Sequence, residues 1–168
     1  MNASAQQLWI ETPLGRMLLA ARNDRLWGAW FEGQRYWPEA DANAGTVATP
    51  FLRDVARQIL DYFAGARDRF DVLLSERGTG FQRSVWREIA SVPYGATISY
   101  ATLANACARP SATRAAGAAT GRNPWTLIVP CHRIVGSHGE LTGYAGGLQR
   151  KQALLELERR VAAPAKAA

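Results

Sequence analysis

Residues 99–121, SYATLANACARPSATRAAGAATG, have a pattern that predicts two short helices joined by a tight turn. The first helix covers about residues 99–108 and ends at Arg109-Pro110, because proline cannot continue a helix. Ser111 is a favourable N-cap for the second helix, which ends at Gly121. Such a pair is typical of a helix-turn-helix, although many short helical hairpins bind no nucleic acid.

The second helix of this pair carries very little side-chain bulk. Its small residues are Ala112, Ala115, Ala116, Gly117, Ala118 and Ala119. Arg114 projects from this bare surface. Two interpretations stay open: the helix packs tightly inside the protein's own core, or it enters a DNA groove with Arg114 as the reaching side chain.

A further helix precedes this pair and stops before Pro93-Tyr94-Gly95. One face of it carries Phe81, Val85, Trp86 and Ile89. The two glycines of segment 75–80 mark a boundary in front of it. We therefore divide the chain into an N-terminal domain of residues 1–79, a second domain of residues 80–162 and a frayed tail of residues 163–168.

The N-terminal half predicts a β-meander followed by a helix. Three apolar segments separated by turn residues lie at Leu8–Ile10, Met17–Ala21 and Leu26–Phe31. A helix is expected from Pro50 to about Phe63, a last strand at Asp71–Leu74, and a loop in the small-residue stretch 40–49. The predicted fold class is α/β, of the α+β type: a small N-terminal α/β lobe, then a mostly helical, winged-helix-like helix-turn-helix domain.

Charge is distributed unevenly between the two halves. Residues 1–79 carry 9 basic and 10 acidic side chains, whereas residues 80–168 carry 11 basic and 4 acidic ones. A positive excess in one half points to a polyanion bound there, most simply nucleic acid. The alternative at this level is a basic protein without such a partner.

Composition excludes several classes of protein. A chain of 168 residues, 48% of them hydrophobic, can bury a core. Two cysteines are too few for a disulfide scaffold or a four-cysteine zinc site, and the first hundred residues contain neither histidine nor cysteine, so we expect no structural zinc in that half. No apolar run reaches the about 18 residues of a membrane helix, and the first residues lack the pattern of a secretory signal. We expect no membrane association and a cytoplasmic location.

Cys131 is the candidate nucleophile. The apolar run Trp125–Val129, interpreted as a buried strand, ends at Pro130, and Cys131-His132-Arg133 follows directly. A thiol beside an imidazole and a guanidinium is expected to sit in a positive potential that favours the reactive thiolate. The alternative is an inert buried cysteine, which is the role we expect for Cys107 on its helix face.

Glu158 falls inside the apolar stripe of a last predicted helix, about residues 147–161. Leu154, Leu155 and Val161 share its side, whereas Glu156 faces away. A carboxylate in a buried stripe needs a partner. It either pairs with an arginine or orients an imidazole, completing a set of nucleophile, base and orienting group.

These residues resemble the O6-alkylguanine-DNA alkyltransferases, also called methylated-DNA–protein-cysteine methyltransferases. Residues 129–133, Val-Pro-Cys-His-Arg, are similar to the active-site signature of that family. The other matching segments, in order, are Pro93-Tyr94-Gly95, Thr97-Ile98-Ser99-Tyr100, Arg114, Gly121-Arg122-Asn123-Pro124, Thr142-Gly143-Tyr144-Ala145-Gly146-Gly147, Leu154-Leu155 and Glu158. The resemblance covers about residues 78–160 and favours the stand-alone bacterial form; the N-terminal half matches in layout alone.

The resemblance implies a reaction that consumes the protein. A guanine alkylated at O6, or a thymine alkylated at O4, would leave the duplex and enter a pocket. Cys131 would accept the alkyl group and keep it as a thioether, without turnover. His132 would take the thiol proton through a water molecule, and Glu158 would hold the imidazole.

The resemblance also assigns roles to the residues around the nucleophile. Tyr100 would donate a hydrogen bond to N3 of the guanine, and Asn123 would be the hinge between the recognition helix and the cysteine segment. The backbone carbonyls of Val129 and Cys131 would read the guanine amino group. The remaining pocket residues would be Tyr144, Ala145 and Trp125. Because Ala145 stands where some members carry serine, a hydroxyl contact to O6 would be absent.

The implied partner is double-stranded DNA that contains alkylated guanine, bound by a monomer without a cofactor or a metal. The bare helix would enter the minor groove, and Arg114 would fill the gap in the base stack. Because that groove carries little base information, binding would be largely independent of sequence and sensitive to salt. Further DNA contacts would come from Tyr100, Ala115, Gly117, Arg122 and Arg133.

Three other functions stay open at this level. The first is a relative that binds the lesion without accepting the alkyl group; such relatives lack the cysteine of the signature, so Cys131 argues against it. The second is a hydrolase that turns over with Cys131, His132 and Glu158. The third is a helix-turn-helix regulator, which would prefer one duplex sequence and would not need Cys131.

Overall fold

The computed structural model describes residues 6–38 and 46–163, so most of the predicted loop at 40–49 and of the tail at 163–168 lies outside the described residues. The predicted β-meander is confirmed as an antiparallel sheet of order β1–β2–β3. Its strands are β1 (Gln6–Thr12), β2 (Gly15–Arg22) and β3 (Arg25–Phe31). Positive φ angles of 51° and 53° at Asn23 and Asp24 match the hairpin turn whose twist suits the adjoining strands.

Helix α1 (Pro50–Phe63) forms as predicted, with the Thr49 hydroxyl accepting a hydrogen bond from the Leu52 amide. The strand predicted at Asp71–Leu74 is wrong. Leu74 forms a single bridge to Leu26 at the beginning of β3. Further along, the same strand edge is taken by residues 124–126, whose backbone bonds to Ala29. The segment therefore cannot extend the sheet.

The predicted helix-turn-helix is confirmed. Its two helices are α3 (Tyr100–Ala106) and α4 (Thr113–Gly121), and the helix predicted in front of them is α2 (Gly80–Ala90). The N-cap predicted at Ser111 is wrong, since Ala112 holds that position without a side-chain cap. The reason is that the turn after Arg109 continues further, with the Ala112 amide bonded to the Arg109 carbonyl.

The cysteine turn, Cys131–Arg133, is a short 3₁₀ helix that leads into β5 (Ile134–Val135). Strand β5 pairs in parallel with β4 (Ile98–Ser99), which leads directly into α3. This pairing places the start of α3 beside the cysteine turn. The strand predicted at Trp125–Val129 is wrong: the run is mostly buried, but it folds back so that the Val129 amide bonds to the Trp125 carbonyl.

Helix α5 (Leu148–Ala162) confirms the last predicted helix. Its buried face includes Glu158, and Glu156 faces solvent as expected, but Val161 is 39% exposed because the helix runs past the edge of the core there. Cys107 is half-buried and packs against the core. A continuous core joins both halves of the chain. Within residues 6–38 and 46–163, no helix is long and apolar enough to cross a membrane.

Candidate active site

A cavity of about 420 Å³ opens between α4 and segment 142–145, with Cys131 in its wall. We call it the cysteine cavity. Its volume lies in the range typical of small-ligand sites, about 300–1,000 Å³. Its lining residues are Arg35, Tyr36, Tyr100, Thr113, Arg114, Gly117, Ala118, Thr120, Gly121, Cys131, Thr142, Gly143, Tyr144 and Ala145.

Asn123 fixes the Cys131 side chain from the end of α4. Its side-chain amide donates hydrogen bonds to the Cys131 sulfur at 3.2 Å and to the Val129 carbonyl at 2.8 Å. Its oxygen accepts from the Trp125 amide at 3.0 Å. The asparagine thus joins α4 to the cysteine turn, where a hinge was expected, and it also touches the nucleophile.

The resting Cys131 is a neutral thiol. Burial raises its pKa, and the hydrogen bond from Asn123 and the positive charge of Lys151 counteract burial only in part. The prediction that the neighbouring charges favour a thiolate is therefore corrected. The reason is that Arg133 is paired elsewhere and His132 is neutral, so neither side chain offers a free positive charge to the sulfur.

His132 is held by Glu158 in a fully buried pair. The imidazole Nε2 lies 2.7 Å from Oε1 of Glu158, and both side chains are 0% exposed. Because burial lowers the pKa of His132, the ring is neutral, donates its Nε2 hydrogen to Glu158 and carries a lone pair on Nδ1. That Nδ1 is buried and has no hydrogen-bond partner among the described residues. It is free to accept a proton.

Glu158 combines the two roles that the sequence left as alternatives. Besides the imidazole, it accepts hydrogen bonds from Nε and Nη2 of Arg133, from the Tyr62 hydroxyl and from the Gly95 amide. Burial alone would raise the pKa of Glu158, but the hydrogen bonds from His132 and Arg133 hold it at about 2. The carboxylate is therefore ionised, and its charge is balanced by Arg133.

Arg133 is buried and paired within the protein, which corrects its expected role as a DNA contact. Its side chain is 8% exposed, and its guanidinium bonds to Glu158 and to the Val92 carbonyl. A guanidinium held in this way cannot reach a phosphate without leaving a buried carboxylate unpaired. Arg133 is a structural partner of the carboxylate.

Tyr100, Tyr144 and Ala145 lie in the wall of the cysteine cavity. The Tyr100 hydroxyl donates to the Thr142 carbonyl at 3.0 Å, and burial raises its pKa, so it stays protonated. The Tyr144 hydroxyl is buried and has no hydrogen-bond partner among the described residues. Tyr144 thus offers an unused donor at the cavity, whereas Tyr100 has to leave the Thr142 carbonyl before it can donate to another group.

Trp125 and Val129 do not line the cysteine cavity, which corrects two predictions. Trp125 points into the core, where its ring packs on Trp86 and its indole donates to the Leu26 carbonyl. The Val129 carbonyl already accepts hydrogen bonds from Asn123 and from the Cys131 amide. Neither group is available to a base that enters the cavity.

The bare helix α4 forms one side of the cavity mouth. Arg114 is exposed there, and Gly117 lies deeper on the same face. Ala115 and Arg122 are exposed as well. Arg122 stacks over the Tyr36 ring at 4.0 Å, so it borders the cavity from its far end. Because Ala116 and Ala119 are buried while Ala115 is exposed, α4 packs inward and also presents a bare outer face.

Lys151 is a buried cation that the sequence analysis missed. Its ammonium donates to the carbonyls of Ile134 and Thr142, and burial lowers its pKa to about 8. It ties α5 to the cavity wall close to the sulfur. The signal was present, because Lys151 lies seven residues before Glu158 and so falls in the same apolar stripe.

The fold and the site together define a helix-turn-helix protein with a buried free cysteine in the wall of a cavity. Family models described as 6-O-methylguanine DNA methyltransferase match the chain twice: the ribonuclease-like domain over residues 8–75 and the DNA binding domain over residues 80–160. The chain belongs to this family.

Individual relatives agree with this assignment. The methylated-DNA–protein-cysteine methyltransferase of Mycolicibacterium paratuberculosis is 43% identical over 152 residues, which is 90% of each chain. The constitutive one of Bacillus subtilis is 41% identical over 152 residues, or 89% of this chain and 92% of the relative. The solved structure of Mycobacterium tuberculosis OGT in complex with DNA matches with a TM-score of 0.87 at 41% identity and covers 94% of each chain.

Proposed function

We propose that this protein repairs O6-alkylguanine in duplex DNA by moving the alkyl group onto its own Cys131, once per molecule. The observation that carries the proposal is the arrangement of the cysteine cavity. A buried thiol lies in its wall, a bare helix with Arg114 forms its mouth, and a neutral imidazole backed by a carboxylate lies next to the thiol in the chain. O4-alkylthymine is the second substrate we propose.

In the proposed reaction the thiol proton passes through a water molecule to Nδ1 of His132, and Glu158 stabilises the imidazolium that forms. The sulfur then attacks the alkyl carbon, and the bond from that carbon to O6 breaks with its electrons going to the guanine. Tyr100 donates a hydrogen bond to N3, so the base leaves without a full negative charge. The product is an S-alkyl cysteine. The thioether is not hydrolysed by water, so the alkyl group stays on Cys131 and the protein does not turn over.

DNA binding is proposed to use the outer face of α4 in the minor groove. Arg114 would occupy the gap left by the extruded base, while Ala115 and Gly117 allow close approach and Arg122 adds positive charge at the edge. We further propose that the protein binds DNA as a monomer, needs no cofactor and is cytoplasmic. Its two domains would be residues 1–79 and 80–162. The matched family segments support that division.

The proposal is tested by counting repaired bases. A duplex with one O6-methylguanine is incubated with increasing amounts of protein, and restored guanine is measured after the reaction stops. We expect one guanine restored per active protein molecule, with no further gain on longer incubation. More than one per molecule would indicate turnover and contradict the suicide mechanism; tight binding without restored guanine would indicate a lesion binder instead.

A further inference from the structure

Tyr62 brings the N-terminal half of the chain into contact with the proton-transfer pair. It lies on α1, is 0% exposed, and donates its hydroxyl hydrogen to Oε1 of Glu158 at 2.7 Å. The same oxygen accepts from Nε2 of His132 at 2.7 Å and from Nη2 of Arg133 at 2.8 Å. Burial raises the pKa of Tyr62, so its hydroxyl keeps its hydrogen and remains a donor to Glu158.

Hydrogen bonds to one oxygen compete for its negative charge. A strong donor such as a buried phenol weakens the oxygen as an acceptor for its other partners. The hydrogen bond from His132 is the one that strengthens during the reaction, because the imidazole becomes positive when it takes the thiol proton. The Tyr62 hydroxyl therefore acts against protonation of His132 and also holds the carboxylate in place.

We propose that Tyr62 is a positioning residue that sets the basicity of His132 through the shared carboxylate oxygen, so that the N-terminal half tunes alkyl transfer. The proposal rests on the proposed function of Cys131 and His132. It gives the N-terminal half a part in the reaction in addition to its packing.

The charged and titratable groups around the shared carboxylate come from both halves of the protein. The groups that act on Glu158 or on its partner His132 are Tyr62 of α1, Tyr94 after α2, Arg133 of the cysteine turn, Tyr144 of the cavity wall and Lys151 of α5. Tyr94 provides a matched control. Its ring packs edge-on against Tyr62, but its buried hydroxyl has no hydrogen-bond partner among the described residues.

The test compares Tyr62→Phe with Tyr94→Phe by ¹⁵N NMR of the histidine rings in unreacted protein. The chain has two histidines, and exposed His138 serves as the internal reference. In Tyr62→Phe we expect the resonance of the Nε2 hydrogen of His132 to move downfield. The midpoint of the His132 titration should rise by about half a pH unit, a roughly threefold change in the equilibrium constant for protonation. Tyr94→Phe is expected to leave both unchanged. An unshifted His132 in folded Tyr62→Phe would overturn the proposal.

The rate of methyl transfer gives the second readout. Because the neutral imidazole is the proposed base, the rate falls at low pH as His132 becomes protonated. The midpoint of that fall should move to a pH about half a unit higher in Tyr62→Phe and should not move in Tyr94→Phe. A lower melting temperature with an unmoved midpoint would assign Tyr62 a purely structural role. If wild-type protein transfers no methyl group, the proposed function fails, whereas the NMR result still decides the role of Tyr62.

A fluorinated tyrosine at position 62 keeps the test decisive if Tyr62→Phe does not fold. Fluorine beside the hydroxyl makes the phenol a stronger donor with little change in shape. The His132 titration should then move downward, opposite to the phenylalanine variant. An upward shift or no shift would contradict the proposal.

Discussion

Glu158→Gln is expected to slow alkyl transfer by about 100-fold and to lower the free energy of unfolding by about 3–5 kcal/mol. The glutamine has no negative charge to stabilise the imidazolium of His132. It also leaves the guanidinium of Arg133 buried without a counter-ion, and a buried unpaired charge is among the most destabilising changes in a protein.

The two effects of Glu158→Gln can be measured separately. Single-turnover transfer from an O6-methylguanine duplex reports the chemical step at a temperature where the variant is folded, and urea unfolding reports stability. Glu156→Gln is the matched control, because it lies on the same helix, is exposed and has no contact with the site. A glutamine variant at position 158 that transfers the methyl group at the wild-type rate would exclude the base role of the His132–Glu158 pair.

Arg114→Ala is expected to reduce transfer from duplex DNA by about 30-fold, because extruding a base costs a few kcal/mol and a side chain in the gap would offset part of that cost. Transfer from a free O6-alkylated guanine base, which needs no extrusion, should be unaffected. Stability should not change, since Arg114 is exposed on the outer face of α4.

The control for Arg114→Ala is Arg109→Ala, which removes the same charge from the turn between α3 and α4. Arg109 is exposed and does not line the cysteine cavity. If both variants lose activity equally on the duplex, the effect is general electrostatic attraction. If Arg114→Ala slowed alkyl transfer from the free base as much as transfer from the duplex, the defect would lie in the chemical step, contrary to the proposed role.

The local sequence pattern is sufficient to predict a structural feature that depends on a single helix, strand or turn. The β-meander, α1, the helix-turn-helix and α5 all follow from periodicity and from turn residues such as Asn23 and Asp24. The burial of Glu158 could also be predicted, since its helical projection alone places it in the apolar stripe. The separate matching segments are sufficient to indicate the family from the sequence alone.

The local sequence pattern is not sufficient to predict side-chain contacts between segments that are distant in the chain. The sequence places Arg133 two residues after Cys131 in an apparently basic site, but the fold pairs it with a carboxylate 25 residues later. That pairing, together with burial, removes the charge expected to favour a thiolate at Cys131. Tyr62 has its partner 96 residues away, and no feature of its own helix indicates that its hydroxyl reaches Glu158.

The mispredicted short strands have a similar cause. Residues 71–74 and 125–129 are apolar enough to form strands, but both meet the same edge of β3 at different points. Each contributes only isolated bridges there. Competition for one sheet edge cannot be predicted from either segment alone.

The intact mass of the protein after incubation with excess duplex containing one O6-methylguanine shows whether Cys131 is the permanent acceptor of the alkyl group. We predict a single gain of one methylene in every active molecule, located on Cys131 by peptide mapping, absent from Cys107 and absent in Cys131→Ser. An unchanged mass despite tight binding to that duplex, or a gain on another residue, would contradict the claim.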